Sequence, residues 1–157
     1  MRSKSNFKHV SLIPDEVYGS LNVSRFINYV MRDGKKDIAR NLVYKAFQII
    51  ENNIKKPALE IFDIAIANIS PQLEVKSRRI GGATYQVPVE VKTDRARILA
   101  YRWLITSARK AQGKTFDIFL ANEIEDAYNN TGSAVVMKQN MHKAAEANKA
   151  FAHFARF

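Results

Sequence analysis

Residues able to carry acid–base, nucleophilic or metal chemistry are few in this chain, and they are scattered. Its 157 residues include no Cys, which excludes disulfide frameworks, thiolate metal sites and thiol nucleophiles. The three His residues, His9, His142 and His153, form neither an HExxH motif nor any close ligand spacing. The acidic clusters Asp15-Glu16 and Glu123/Glu125/Asp126 have no Ser, His or Lys gathered with them, and they read as solvated faces. Gly113-Lys114-Thr115 ends like a P-loop, but that motif needs a glycine where Ala108 stands, and a strand before it. No GxGxxG is present. The chain reads as a non-enzyme, with no cofactor and no metal site expected.

What the sequence does concentrate is positive charge. Lys and Arg total 25 against 15 acids, a formal net charge of +10. The excess is +4 over residues 1–73, +7 over residues 74–114 and −1 over residues 115–157. The stretch from Thr115 to Met137 holds four acids and no Lys or Arg. A basic protein polarised in this way is a candidate for a polyanionic partner. At about 100° per residue, Arg95, Arg102, Thr106 and Arg109 share one face of a helix, with Lys110 at its edge. No Asp or Glu lies on that face, so its cations repel one another until an anion is supplied, and Arg suits bidentate phosphate contact. Arg97 points instead toward the apolar side and is expected beside an acid or at an edge. Lys76, Arg78 and Arg79 precede Gly81-Gly82, a pair that lets backbone approach a partner closely. Lys35 and Lys36 stand at the mouth of another helix, where backbone N–H groups also favour anions. Lys114 sits in a loop, and Arg2, Lys4 and Lys8 lie in an N-terminal arm.

The elements that must position these groups follow from periodicity. At 46% apolar residues the chain supports an ordinary core, and its length fits one domain over 1–157. No apolar run approaches the ~18 residues of a membrane span, and no apolar stretch of secretory-signal type follows Met1–His9. Residues 1–13 read as a flexible basic arm closed by Pro14-Asp15. Helices are predicted from a Ser20 cap to Met31, from Lys36 to Asn53 and from Ala58 to Ile69, where Pro71 ends the third. The period then changes. Leu73–Ile80 and Tyr85–Val91 read as strands around a tip at Gly81–Thr84, with Val87, Val89 and Val91 alternating with polar residues or Pro88. Pro88 places its strand at an edge. A fourth helix is predicted from about Arg95 to Ala111, capped by Thr93 or Asp94. A fifth runs from Phe116 to Asn130, capped by Thr115. A sixth starts at Ser133 or Ala134 and reaches Phe151 or beyond. The expected fold is mainly helical, of the all-α class. It is a bundle of about six helices with a two-stranded β-hairpin projecting between the third and fourth. Tyr85 in the ribbon can stack on a base but is expected to pack against a helix.

Several runs of residues carry a further signal. They are Phe26-Ile27-Asn28 with Met31-Arg32-Asp33-Gly34-Lys35-Lys36, the unbroken stretch from Pro71 through Arg78-Arg79-Ile80-Gly81-Gly82 to Val91, Arg102-Trp103, and Ala145 to His153. In these the chain resembles the universal small-subunit ribosomal protein seven family, of bacterial or organellar type, from Pro14-Asp15 to His153. The resemblance implies a six-helix bundle with a protruding hairpin. It implies a structural constituent of the small ribosomal subunit that binds the 3′ major domain of the ribosomal RNA directly and organises assembly of the head. It also implies a place near the exit-site transfer RNA and the messenger RNA path, with head and platform proteins as neighbours. The location implied is a ribosome in bacterial cytoplasm or in a mitochondrion or plastid, with no membrane partner.

Carried onto this sequence, the implied RNA-binding set is Arg2, Lys4, Lys8, Lys35, Lys36, Lys76, Arg78, Arg79, Gly81, Gly82, Arg95, Arg102, Arg109, Lys110 and Lys114. The tip from Ile80 to Tyr85 is the part implied to face transfer RNA. The chain departs from the family pattern at Val136-Met137, where a basic pair is usual, and at the ending Phe154-Ala155-Arg156-Phe157. From the residues alone, the alternatives are a generic helical module for DNA or another RNA, and a hydrolase using the carboxylates of the fifth helix. Duplex DNA compared with structured RNA separates the first, and turnover separates the second.

Overall fold

The computed structural model describes residues 11–156, so the arm cations Arg2, Lys4 and Lys8 lie outside the described residues. Six α-helices and one antiparallel hairpin follow in the order α1 (Leu21–Val30), α2 (Lys36–Ile54), α3 (Ala58–Ile69), β1 (Leu73–Ile80), β2 (Ala83–Glu90), α4 (Thr93–Lys110), α5 (Phe116–Tyr128) and α6 (Gly132–Ala147), with a 3-10 segment at Lys149–Arg156. This is the expected helical bundle with its ribbon between α3 and α4.

The helices start and stop for local reasons. The Ser20 hydroxyl accepts from the Val23 N–H at the head of α1, as predicted. Glu51, near the end of α2, accepts from the Ala58 N–H at 3.0 Å and so caps α3 across the Lys55–Pro57 break. The expected Thr93 or Asp94 cap of α4 is not formed. Lys92 occupies the cap position, Thr93 is already helical, and Asp94 in the first turn faces Arg25 at 3.7 Å. Thr115 holds the cap position of α5 without a side-chain bond. That helix closes at Tyr128 rather than Asn130, because Asn130 is left-handed (φ 59).

The hydrophobic core is knit by rings from four helices. Phe26 (α1), Phe47 (α2), Phe62 (α3) and Tyr101 (α4) are all at most 1% exposed. Phe62 lies 5.0 Å from Phe26 and 5.3 Å from Phe47, and it stacks on Tyr101 at an interplanar angle of 13°. Such pairs contribute about 0.5–1.5 kcal/mol each beyond the area they bury. Outside this knot, Asp15 ties the entering chain to α2. Its carboxylate accepts from the Val17 and Tyr18 N–H groups and from the Tyr44 hydroxyl at 2.9 Å. Burial, then the bond to Asp15, pushes the Tyr44 phenol up to about 12.

Helix α5 packs on α2, α3, α4 and α6, which corrects the reading of Glu123 and Glu125 as part of a solvated face, while Asp126 is exposed as expected. Glu125 accepts from the Asn53 side chain at 2.7 Å. Glu123 is half-buried, and its Oε2 is shut off from solvent with no hydrogen-bond partner among the described residues. Burial raises its pKa above the ordinary carboxylate value.

The ribbon pairs Leu73 with Glu90 through Ile80 with Ala83. The turn is only two residues long, Gly81-Gly82, against the longer tip expected. Both glycines have positive φ (57 and 88), the geometry of a tight hairpin turn that residues with a Cβ adopt poorly. The end of α6 is the other departure. Instead of running on to Phe151 the helix stops at Ala147, where the Asn148 side chain folds back onto the Ala144 carbonyl at 2.8 Å. The 3-10 turn that follows repeats every three residues, so i and i+3 eclipse, and Phe151 and Phe154 lie parallel at 6.4 Å. Tyr85 packs on both, at 5.3 and 5.0 Å. The packing reading of Tyr85 therefore holds, against the C-terminal segment rather than a regular helix.

The α5–α6 corner depends on Gly132, whose φ is +87 and where an added Cβ would meet the Asp126 Cβ at 2.7 Å. Gly132→Ala is expected to destabilise the fold by about 1–3 kcal/mol, read as a lower urea midpoint at unchanged slope.

Candidate nucleic-acid interface

Burial of Ala100, Tyr101, Leu104, Ile105 and Ala108 fixes the roll of α4 about its axis and turns Arg95, Arg102, Thr106, Arg109 and Lys110 outward. The exposed face carries the predicted cations, but they are not equivalent. Arg95 leans toward the ribbon, where its Nε lies 3.2 Å from Glu74. Glu74 is the acid that reading α4 alone could not supply. It comes from β1, has only 6% of its side chain exposed, and also pairs with Lys76 at 2.9 Å. Burial opposes its charge, but hydrogen bonds from Lys76 and Arg95 outweigh burial and hold its carboxyl below the ordinary value. A ribbon of two strands is marginal alone, so this three-residue bridge helps fix its base to α4.

Arg102 lies over the Tyr29 ring at 6.0 Å. Arg109 donates to the Val30 carbonyl at 2.9 Å, the last residue of α1, and its guanidinium sits 5.8 Å from the Phe116 ring centre. It thereby caps the C-terminal end of α1, where positive charge is favoured, while staying exposed on its outer edge. Arg97 is at an edge as expected, partly buried, with Asn22 at 3.3 Å and Asp94 at 3.9 Å.

The structure brings the C-terminal half of α4 together with two loops. Lys35 from the α1–α2 loop, Arg109, and Lys114 from the α4–α5 loop line one cavity. Arg32 lines it too. Arg32 was absent from the predicted set, although it lies in the same loop as Lys35-Lys36, and that adjacency was the available signal. Lys36 and Lys110 are exposed beside this group.

The ribbon cations do not form one face. Strand alternation and the register put Lys76 and Arg78 on the side of Val87 and Tyr85, and Arg79 on the opposite side with Ser77, Gln86 and Thr84. The first side packs on α6 and the 3-10 segment, and Val87 is fully buried. Arg78 is half-buried, while Arg79 and the Gly81-Gly82 tip are exposed.

Two other residues have structural work. Lys138, the cation remaining beside Val136-Met137, donates to the Asn68 carbonyl at the end of α3 at 2.8 Å. His142 accepts from the Gln72 N–H through Nε2 at 3.1 Å. Burial, with Lys138 nearby, lowers its pKa. No group of three or more His, Cys, Asp or Glu among the described residues could hold a metal, and no helix of the described residues is long and apolar enough to cross a membrane.

Comparison with known proteins decides the family. The model of ribosomal protein S7p/S5e matches residues 1–149. The chain belongs to this family. It is 55% identical over 144 residues to small ribosomal subunit protein uS7 of Roseiflexus sp. (strain RS-1), covering 92% of each chain. It is 49% identical over 156 residues to the uS7 of Chloroflexus aurantiacus (strain ATCC 29366 / DSM 635 / J-10-fl), covering 99% of each. The resemblance seen in the motifs is thus borne out over nearly the full length. Members of the S7p/S5e family are structural constituents of the small ribosomal subunit and not enzymes. The ribosome is accordingly the place of this chain, and small-subunit RNA and other ribosomal proteins are its partners.

The Glu74 bridge has a pH signature. A carboxyl whose folded pKa lies below its unfolded value of 4.5 contributes stability that is present above pH 4.5 and lost as pH falls through the folded value. Glu74→Gln is expected to unfold more readily than wild type at pH 7. The gap should narrow as pH drops below about 4.5, as followed by thermal denaturation across pH 3–7.

Proposed function

We propose that this protein binds the 3′ major domain of small-subunit ribosomal RNA directly and organises folding of the subunit head. The cations of the predicted set, joined by Arg32, serve as its phosphate contacts. The observation that carries this reading is the group formed by Arg32, Lys35, Lys36, Lys110 and Lys114 around Arg109. None of the five has a carboxylate partner among the described residues. Asp33 and Asp37 stand in the same stretch of chain but pair with none of the five, so the group keeps a net positive charge that suits a polyanion. Phosphate contacts set position and carry little sequence information. Specificity comes from shape, that is, from the angle between the α4 face and the ribbon, which Glu74 holds through Arg95. A-form RNA is read in this way, by shape and phosphates and at unpaired junctions.

Within this reading Arg2, Lys4 and Lys8 add phosphate contacts from the arm. Arg79 with the Gly81-Gly82 tip reaches toward the exit-site transfer RNA and the messenger RNA path. Neighbouring head and platform proteins cover part of the remaining surface. The bacterial relatives favour a ribosome of bacterial cytoplasm over an organellar one.

Titration of the purified protein against the 3′ major domain, beside an unrelated structured RNA of equal length, tests this. Preference for the ribosomal fragment should persist at moderate salt, with affinity falling roughly 10³–10⁵ between 50 and 200 mM for about 6–10 phosphates neutralised. Lys36→Gln and Lys110→Gln should each flatten the salt slope by about one. Equal affinity for both RNAs, collapsing together with salt, would leave only a polycation.

A further inference from the structure

The cavity that gathers Arg32, Lys35, Arg109 and Lys114 has a volume of about 350 Å³, large enough for a base with its ribose on the usual scale of ligand pockets. Its rim and its floor differ in chemistry. The rim is cationic, and no Asp or Glu lines it. The floor is apolar and aromatic, with Leu42 and Phe119 among its residues. Ile38 stands at its side and is 58% exposed, an uncommon placement for a large aliphatic residue in so cationic a neighbourhood.

Two helices begin at this cavity. Lys35, at the cap of α2, and Phe116, the first residue of α5, both line it, and neither N-terminus is capped by a side chain. Their first-turn N–H groups therefore add to the positive potential. The acid in the first turn of α2, Asp37, faces Arg40 at 3.7 Å. Asp117, in the first turn of α5, is not among the lining residues. Arg109 is held in place by the Val30 carbonyl and the Phe116 ring. Burial, then the nearby Arg32, lowers its pKa, as expected where cations crowd without an anion.

A free phosphate would leave the apolar floor unused, and an apolar peptide would leave the cations unanswered. A group with a flat apolar body flanked by two negative charges answers both. We propose that this cavity captures one unpaired nucleotide extruded from the bound RNA, its base on the floor between Ile38 and Phe119 and its flanking phosphates on Arg32, Lys35, Arg109 and Lys114. The proposal rests on the RNA-binding reading above and adds to it a base-sized site on a surface otherwise made of phosphate contacts.

The test separates base from phosphate. Ala111 is exposed and lines the cavity, so Ala111→Trp fills the space while leaving every cation in place. Ile38→Ser removes apolar contact from the side. Both variants of the full chain are titrated with the 3′ major-domain RNA across a salt series, after thermal denaturation confirms wild-type folding. Affinity is expected to fall roughly fivefold to a hundredfold, the range for losing one base contact, with the salt slope unchanged. Chemical probing should show one unpaired base protected by wild type and exposed with Ala111→Trp, while backbone protections persist. Wild-type affinity and base protection in both variants would overturn the cavity site and leave the RNA-binding reading intact. A flattened salt slope would make it a phosphate site only and overturn it as well. Unchanged RNA binding with loss of a neighbouring small-subunit protein would assign the cavity to an acidic peptide instead. Failure of the wild-type chain to prefer the ribosomal fragment would overturn both readings.

Discussion

The stack of Tyr101 on Phe62 is the contact from which the functional surface follows. Tyr101 is 1% exposed, lies against rings from α1 and α3, and donates its hydroxyl to the Asn22 carbonyl. Burial pushes its phenol up to about 12. Once that ring is inserted, α4 cannot roll about its axis. Residues one position later or eight positions later in the helix, Arg102 and Arg109, must then emerge at the surface. The cationic face is thus a consequence of core packing, and deleting a ring of this kind costs about 3–5 kcal/mol. A lesion in the aromatic knot would therefore disturb the outer face without touching any of its charges.

Much of this was legible in the sequence, and the reasons differ by element. Helices α1 to α3 declared themselves through strong apolar periodicity and sharp breaks at Asp33-Gly34 and Lys55–Pro57, and their ends fall within a residue of expectation. The ribbon was visible in the alternation of Val87 and Val89 and in Gly81-Gly82, though the tightness of the turn was not. What escaped was contact between distant residues. Glu74 meets Arg95 across 21 positions and Arg109 meets Val30 across 79, and no local period encodes either. Glu123 and Glu125 of α5 were misread because their exposure depends on which helices surround α5, and four do. The break at Asn148 depends on one side chain turning back on its own helix, which competes closely with continued helix.

The cations of this protein fall into two physical kinds. Arg95, Arg109 and Lys138 are tied to a carboxylate or to the carbonyl at a helix end. These ties fix where α4 lies against the ribbon and α1, and where α6 lies against α3. Arg32, Lys35, Lys36, Lys110 and Lys114 have no such tie among the described residues. Mutual repulsion of exposed charges is screened over about 8 Å at physiological salt, so the isolated protein tolerates them at small cost.

That division makes the two sets answer different needs. A tied cation gains little from a new anion, since it must leave or share a partner, but it holds its neighbours at a set angle. An untied cation has no protein partner to leave and, on meeting phosphate, releases a counterion from the RNA. Arg109 belongs to both sets. Its inner edge closes α1 through the Val30 carbonyl, and its outer edge faces the untied group across the cavity. One guanidinium can do this because it presents five donors in a rigid plane. Lysine at the same position would offer a single charged nitrogen, which could close the helix or meet the phosphate but could not hold the two in fixed register.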